Sequence, residues 1–171
     1  MSFLNAKSLT KVYKNKVAVD KIDLQIEKGE FVTILGPNGA GKSTTIEMLT
    51  GLLQPTSGSI QLEKINPTKK EYRTKIGIVF QNSVLDSELS VQDNLYLRAE
   101  MYKNVTPADI LEIAHLIGID NFLKQKHGTL SGGQRRRVDI ARALLHRPEV
   151  LSIIGENTPT STSGGILANY G

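Results

Sequence analysis

Apolar and polar residues alternate along the chain in a way that predicts three regions in order: an antiparallel flank, a covered sheet and a helical segment. From Val17 to Glu27, the residues Val17, Val19, Ile22, Leu24 and Ile26 are interleaved with polar ones. The alternation is strict from Ile22 onward, as in a strand with one wet face. Lys28-Gly29-Glu30 turns the chain. Phe31-Val32-Thr33-Ile34-Leu35 then runs nearly unbroken, the pattern of a strand covered on both faces. A helix is predicted over 42–53, with Ile46, Leu49 and Leu53 on one face, and Gln54-Pro55-Thr56-Ser57-Gly58 ends it. Ile60-Gln61-Leu62 and Lys75-Ile76-Gly77-Ile78-Val79-Phe80 read as further strands.

Beyond Gln81 the period becomes helical. Ser90 and Asp93 are spaced as a capping box, with Asp in place of the usual Glu or Gln. Thr106 before Pro107 is an N-cap followed by a first-turn proline, and this helix is expected to turn Ile110, Leu111, Ala114 and Ile117 inward and stop at Gly118. Ser131-Gly132-Gly133-Gln134 opens another helix with Val138, Ala141 and Leu145 on one face. Residues 157–171 contain no charged side chain and no usable period, so no regular structure is expected there.

Composition narrows the picture only a little. A chain of 171 residues, 39% hydrophobic and 22% charged, has the balance of a globular domain. The net charge of +4 is too small to argue for nucleic acid, and no nucleic-acid partner is expected. With no cysteine, thiol catalysis, disulfides and thiolate metal sites are excluded. The first residues lack the apolar stretch of a secretory signal, and no segment approaches the roughly 20 apolar residues that span a bilayer. A membrane role would need another polypeptide.

The strongest chemical signal is Gly36-Pro37-Asn38-Gly39-Ala40-Gly41-Lys42-Ser43-Thr44, which fits G-x-x-x-x-G-K-[ST] between a strand and a helix. Glycines let backbone N–H groups approach phosphate oxygens, and the helix start adds unsatisfied donors and a positive dipole end. Lys42 is expected to reach the β- and γ-phosphates of ATP, and Ser43 to ligate Mg²⁺.

A P-loop alone is compatible with kinases, GTPases and many ATPases. Leu130-Ser131-Gly132-Gly133-Gln134, followed by Arg135-Arg136-Arg137-Val138-Asp139, narrows the choice. Ser131 and Gln134 suffice for a capping box, but such a box does not need two glycines. With the P-loop, this segment resembles the signature motif of the ATP-binding-cassette family, and residues 8 to about 150 resemble that family's nucleotide-binding domain in order and spacing. The resemblance implies an α/β fold: a RecA-like P-loop NTPase core with a mostly parallel sheet, an antiparallel β flank and an inserted helical subdomain at about 86–146. The nucleotide-binding domain so implied is expected at 1–155, with 156–171 a non-matching tail.

The same resemblance implies that Tyr13 stacks on adenine, that Gln81 touches Mg²⁺, and that Ser131, Gly132, Gly133 and Gln134 cap the γ-phosphate held by a second nucleotide-binding domain. A transmembrane permease would be the other partner, placing the chain in the cytoplasm, peripheral on the inner face of the plasma membrane. The segment 79–90 is similar to the bacterial branch that exports drugs and antibiotics. A non-transport cassette ATPase is a further alternative, less favoured because the chain has no long coiled-coil insertion and no second cassette.

After Arg147-Pro148-Glu149 the resemblance breaks. The family has an apolar strand ending in Asp-Glu-Pro-Thr; here Val150-Leu151-Ser152-Ile153-Ile154 leads into Gly155-Glu156-Asn157-Thr158. Glu156 is the candidate catalytic carboxylate if one residue is inserted in the strand. Without the insertion, Gly155 takes that place. None of His115, His127 and His146 lies downstream to act as the family's switch histidine. The abrupt end of the match near residue 152 is what a frameshift or truncation produces, so the C-terminal part of the fold is expected to be incomplete. Phosphoryl transfer to water needs a group to orient the water. The chain is therefore expected to bind ATP and hydrolyse it poorly or not at all.

Overall fold

The computed structural model describes residues 2–37 and 39–154, together with the backbone of a strand at 164–168. The chain divides into two compact units, one running up to Gln81 and resuming at Glu149, the other formed by Asn82–Pro148.

Four strands open the first unit: β1 (Leu4–Tyr13), β2 (Lys16–Ile26), β3 (Phe31–Thr33) and β4 (Ser57–Leu62). β1 pairs antiparallel with β2 on one side and β4 on the other, which is the expected antiparallel flank. β1 itself escaped the sequence pattern because its ladder with β2 shifts register after Ala6, Leu9 and Lys11, and Ser8 sits at φ 48°. Such bulges turn the buried set into Leu4, Ala6 and Leu9, which no period of two describes. Those side chains pack with Ile26, Met48, Leu49, Leu62 and Tyr72 in the core of this unit.

The second sheet has the order β3-β7-β6-β5, with β5 at Ile76–Val79, β6 at Val150–Ile154 and β7 at Gly164–Ala168. β5 and β6 are parallel, and β7 is antiparallel to both β6 and β3. Hence β3, β5 and β6 run in one direction and β7 alone opposes them. Two expectations are corrected here. Residues 164–168 form a strand where no regular structure was expected; the rest of that tail lies outside the described residues. β3 is also shorter than its apolar run and is not covered on both faces: Phe31 and Leu35 are 63% and 68% exposed. Among the described residues it is an edge strand, with Val32 and Ile34 packed against the core.

Helix α1 (Lys42–Leu49) stops earlier than its pattern, because Gly51 at φ 77° closes it. Gly51 N–H donates to Met48 O at 3.1 Å and Leu52 N–H to Glu47 O at 2.9 Å, the paired bonds of a Schellman end. Leu53 stays partly buried against the core outside the helix. Tyr72, on the short helix α2 (Lys70–Thr74), donates its hydroxyl to Leu49 O at 2.5 Å, and burial pushes the phenol pKa well up.

The second unit carries α3 (Val91–Ala99), α4 (Pro107–Ile117) and α5 (Gly132–Leu144). Thr106 and Asp109 close a full capping box at α4, and Ser90 accepts from Asp93 N–H at 3.0 Å at α3. In α4 the buried face is Ile110, Ile113 and Ala114, while Leu111 is 52% exposed, which corrects the expected inward set. Apolar residues at 110, 111, 113, 114, 116 and 117 fit two overlapping helix faces, and only packing against α3 and α5 selects one. In α5, Val138, Ala141 and Leu145 at its end are all buried, as the pattern requires.

Candidate functional site

β3 delivers the chain to Gly36 three residues after its last paired position, Thr33, and the loop ends where α1 begins. Gly41 is the N-cap of α1, at φ 82°, and no side chain caps that end. A Cβ on Gly41 would stand 2.3 Å from Ala18 O and 3.0 Å from a Val19 methyl, so β2 presses directly on the loop and leaves no room for a side chain. Lys42 is 6% exposed and its Nζ donates to Gly36 O at 2.5 Å and Pro37 O at 2.6 Å. Its ammonium therefore hangs over the mouth of the loop, held by two carbonyls that a phosphate oxygen can replace.

Gly39, Gly41, Lys42, Ser43 and Thr44 line a concavity of about 120 Å³. The uncapped start of α1 and the buried ammonium fit a polyphosphate, and the half-buried Ser43 at the mouth offers the hydroxyl that a hard cation prefers. A larger concavity, about 600 Å³, lies at the far end of the antiparallel sheet around Phe3, Asn5 and Gln61. Lys28 there is paired with Glu63 at 3.0 Å, and the lining also includes the carboxylate Glu27, which does not favour an anion.

Tyr13 lies at the β1–β2 turn, opposite Lys16, and is 45% exposed with Lys11 Nζ 5.4 Å from its ring centre. The same hairpin supplies Ala18 and Val19 against Gly41, so the structure places Tyr13 on the strand pair that touches the phosphate loop. Sequence reading missed the role of Ala18 and Val19, since nothing local marks them. Gln81 follows β5 as an exposed residue, and no hydrogen bond among the described residues joins it to Ser43. Asn38 and Glu156 lie outside the described residues.

In the second unit, Ser131 is the N-cap of α5. Its side chain accepts from Gln134 N–H at 3.2 Å while Gln134 Oε1 accepts from Ser131 N–H at 3.0 Å. Gly132 and Gly133 are exposed, and a Cβ on either would meet nothing within 4 Å. Arg135, the first of the three arginines, donates Nε to Leu130 O at 3.0 Å and so helps shape the start of α5.

Behind this helix start sits a polar cluster that the sequence did not reveal. Ser83 Oγ donates to Asp139 Oδ1 at 2.7 Å and lies 3.4 Å from His127 Nε2. Asp139 and His127 are 5% and 3% exposed. Burial holds the His127 pKa below its usual value, Asp139 opposes that shift and Arg135 reinforces it. A signal existed: Asp139 is a charge next to Val138 on the apolar face of α5. The cluster ties the segment after Gln81 to the helix that follows the double glycine.

Comparison with known proteins agrees with this geometry. The ABC transporter family model matches residues 19–156. The spermidine/putrescine import ATP-binding protein of Spiroplasma citri is 37% identical over 154 residues, covering 88% of this chain and 44% of that protein. The bacitracin transport ATP-binding protein of Bacillus licheniformis is 36% identical over 159 residues, covering 92% of this chain and 52% of that one. The chain thus spans about half the length of the curated relatives it matches. Among solved structures, cbiO1 from Clostridium perfringens, part of the ABC transporter complex cbiONQ, superposes with a TM-score of 0.77 at 31% identity, covering 88% of this chain and 64% of that one. This chain belongs to the ABC transporter family, on its ATP-binding side.

Proposed function

We propose that the chain is the nucleotide-binding subunit of an ABC transporter, holding Mg-ATP at the P-loop and working with a second nucleotide-binding domain and a separate membrane permease. The observation that carries this reading is the uncapped start of α1 with the buried Lys42 ammonium at its mouth. Backbone donors and that ammonium bind the phosphates, Ser43 orients the cation, and Tyr13 receives the base. Mg²⁺, when bound, neutralises charge on the β- and γ-phosphates. Gly132 and Gly133, exposed at the start of α5, suit a close approach to the γ-phosphate held by the second domain. No helix of the described residues is long and apolar enough to cross a membrane, so attachment to the cytoplasmic face falls to the permease.

Calorimetric titration with Mg-ATP tests the core of the proposal. The full chain takes up nucleotide, and Lys42→Ala weakens uptake by at least about tenfold, the value of one to two charge-assisted hydrogen bonds. Equal uptake by the two proteins would overturn it.

Export of a drug or antibiotic is the direction we favour, supported by the resemblance of segment 79–90 to drug exporters and by the bacitracin-transport relative. Resistance of cells expressing the chain with its permease, lost with Lys42→Ala, tests that direction. A second reading, nucleotide binding without turnover, is favoured by the sequence after β6, where Gly155-Glu156 offers one carboxylate and not two adjacent ones. A single-turnover assay with Mg-ATP separates the two: phosphate release at the rate of an intact family member excludes the second reading, and bound ATP recovered intact excludes the first.

A further inference from the structure

β3 reaches the rest of its sheet through one neighbour. Among the described residues its strand partner is β7, and β7 is paired residue by residue on both sides. Gly165 faces Thr33 and Ile153, Ile166 faces Val32 and Ser152, and Leu167 faces Phe31 and Leu151. β7 lies beyond residue 156, where the family match stops, and it runs against the direction of β3, β5 and β6.

We propose that Gly164–Ala168 is a positioning element for the phosphate loop: it is the strand that holds β3, and with it the base of the loop at Gly36, to β6. The proposal rests on reading the loop as a nucleotide site. The physical case is one of backbone accounting. Each β3 residue has a donor and an acceptor that must be paired or wetted, and an edge strand stripped of its ladder gives those bonds to water. Three residues with Phe31 largely exposed bury too little apolar surface to hold the strand by packing alone. Without that ladder the loop keeps Ala18 and Val19 against Gly41 and the Lys42 bonds to Gly36 O and Pro37 O, but it loses the backbone pairing that fixes β3 against β6. Phosphate binding needs that pairing as well, because its donors come from successive backbone amides whose spacing the anchors set.

Hydrogen exchange on the unaltered full chain tests this without nucleotide. Amides of β3 and β7 that lie in the ladder should exchange together, as one group with those of 151–153. Protected β3 amides beside β7 amides that exchange at unfolded rates would overturn the proposal. Ile166→Pro, which removes a central donor and breaks the ladder, should weaken Mg-ATP binding at least tenfold while the amides of β1, β2 and β4 keep their protection; Ile166→Val should bind as the parent does. A folded Ile166→Pro chain binding within twofold of the parent overturns it as well. If that variant does not fold, the exchange result on the parent decides. Failure of the parent to bind nucleotide would count against the proposed function and leave the exchange test standing.

Discussion

Two glycine-containing loops in this chain each run into a helix, and they solve the helix-start problem in opposite ways. At α1 the N-cap is Gly41, no side chain caps the turn, and the chain itself forbids a Cβ because Ala18 O would lie 2.3 Å away. At α5 the N-cap is Ser131, the capping box with Gln134 is complete, and both glycines face open space. A helix start has four orphan N–H groups, and what satisfies them reveals its use. The first loop leaves them for an incoming anion and needs glycine for its own packing. The second is capped in part by its own box, at the N–H groups of Ser131 and Gln134, and no side-chain packing in its own unit requires Gly132 or Gly133. Their lack of side chains leaves that helix start open to close approach, as the proposed function requires.

The largest break in this comparison should come from Gly41→Ala. A positive φ and a backbone contact inside van der Waals range together cost about 3 kcal/mol or more. Thermal or denaturant unfolding should show that loss, with Mg-ATP binding lost alongside. Ser131→Ala should cost about 1 kcal/mol, the usual value of an N-cap, and unfolding of the full chain measures it. Gly133→Ala is smaller and of opposite sign: with free space and an ordinary helical backbone it should leave stability unchanged or raise it by up to about 1 kcal/mol. It should nevertheless reduce ATP-dependent association of two copies, read by analytical ultracentrifugation. A stability loss equal to that of Gly41→Ala would erase the contrast between the loops.

The smallest effect is on pH. In the unfolded chain His127 titrates near about 6.5, and burial holds it lower in the fold. Between those two values the unfolded chain binds a proton that the folded chain does not. Stability is therefore full above about pH 6.5 and falls as the pH drops toward the folded value. His127→Gln should flatten that part of the unfolding profile, leaving the carboxylate contribution at lower pH in place.

Much of the site was legible in the sequence because its information is local. A strand, a glycine loop and a helix occupy 31–49 in one run, and the boxes at Ser131 and Thr106 close within three residues. Corrections gathered where distant partners decide. The buried face of α4 depended on neighbouring helices, and β1 hid behind its bulges. Asp139 is buried, and its partner there is Ser83, 56 residues earlier, which donates to it.

By itself, then, the sequence determined the phosphate loop, the capped helices and the family, since each is written in residues a few positions apart whose hydrogen bonds close on one another. Tertiary structure alone decided that residues 164–168 stand between β3 and β6, that Phe31 and Leu35 face outward, and that Gly41 touches β2. A strand's pattern states which of its faces is apolar, but its ladder partner is chosen by whichever chain segment can satisfy the open backbone groups, and that choice is not encoded in any local period.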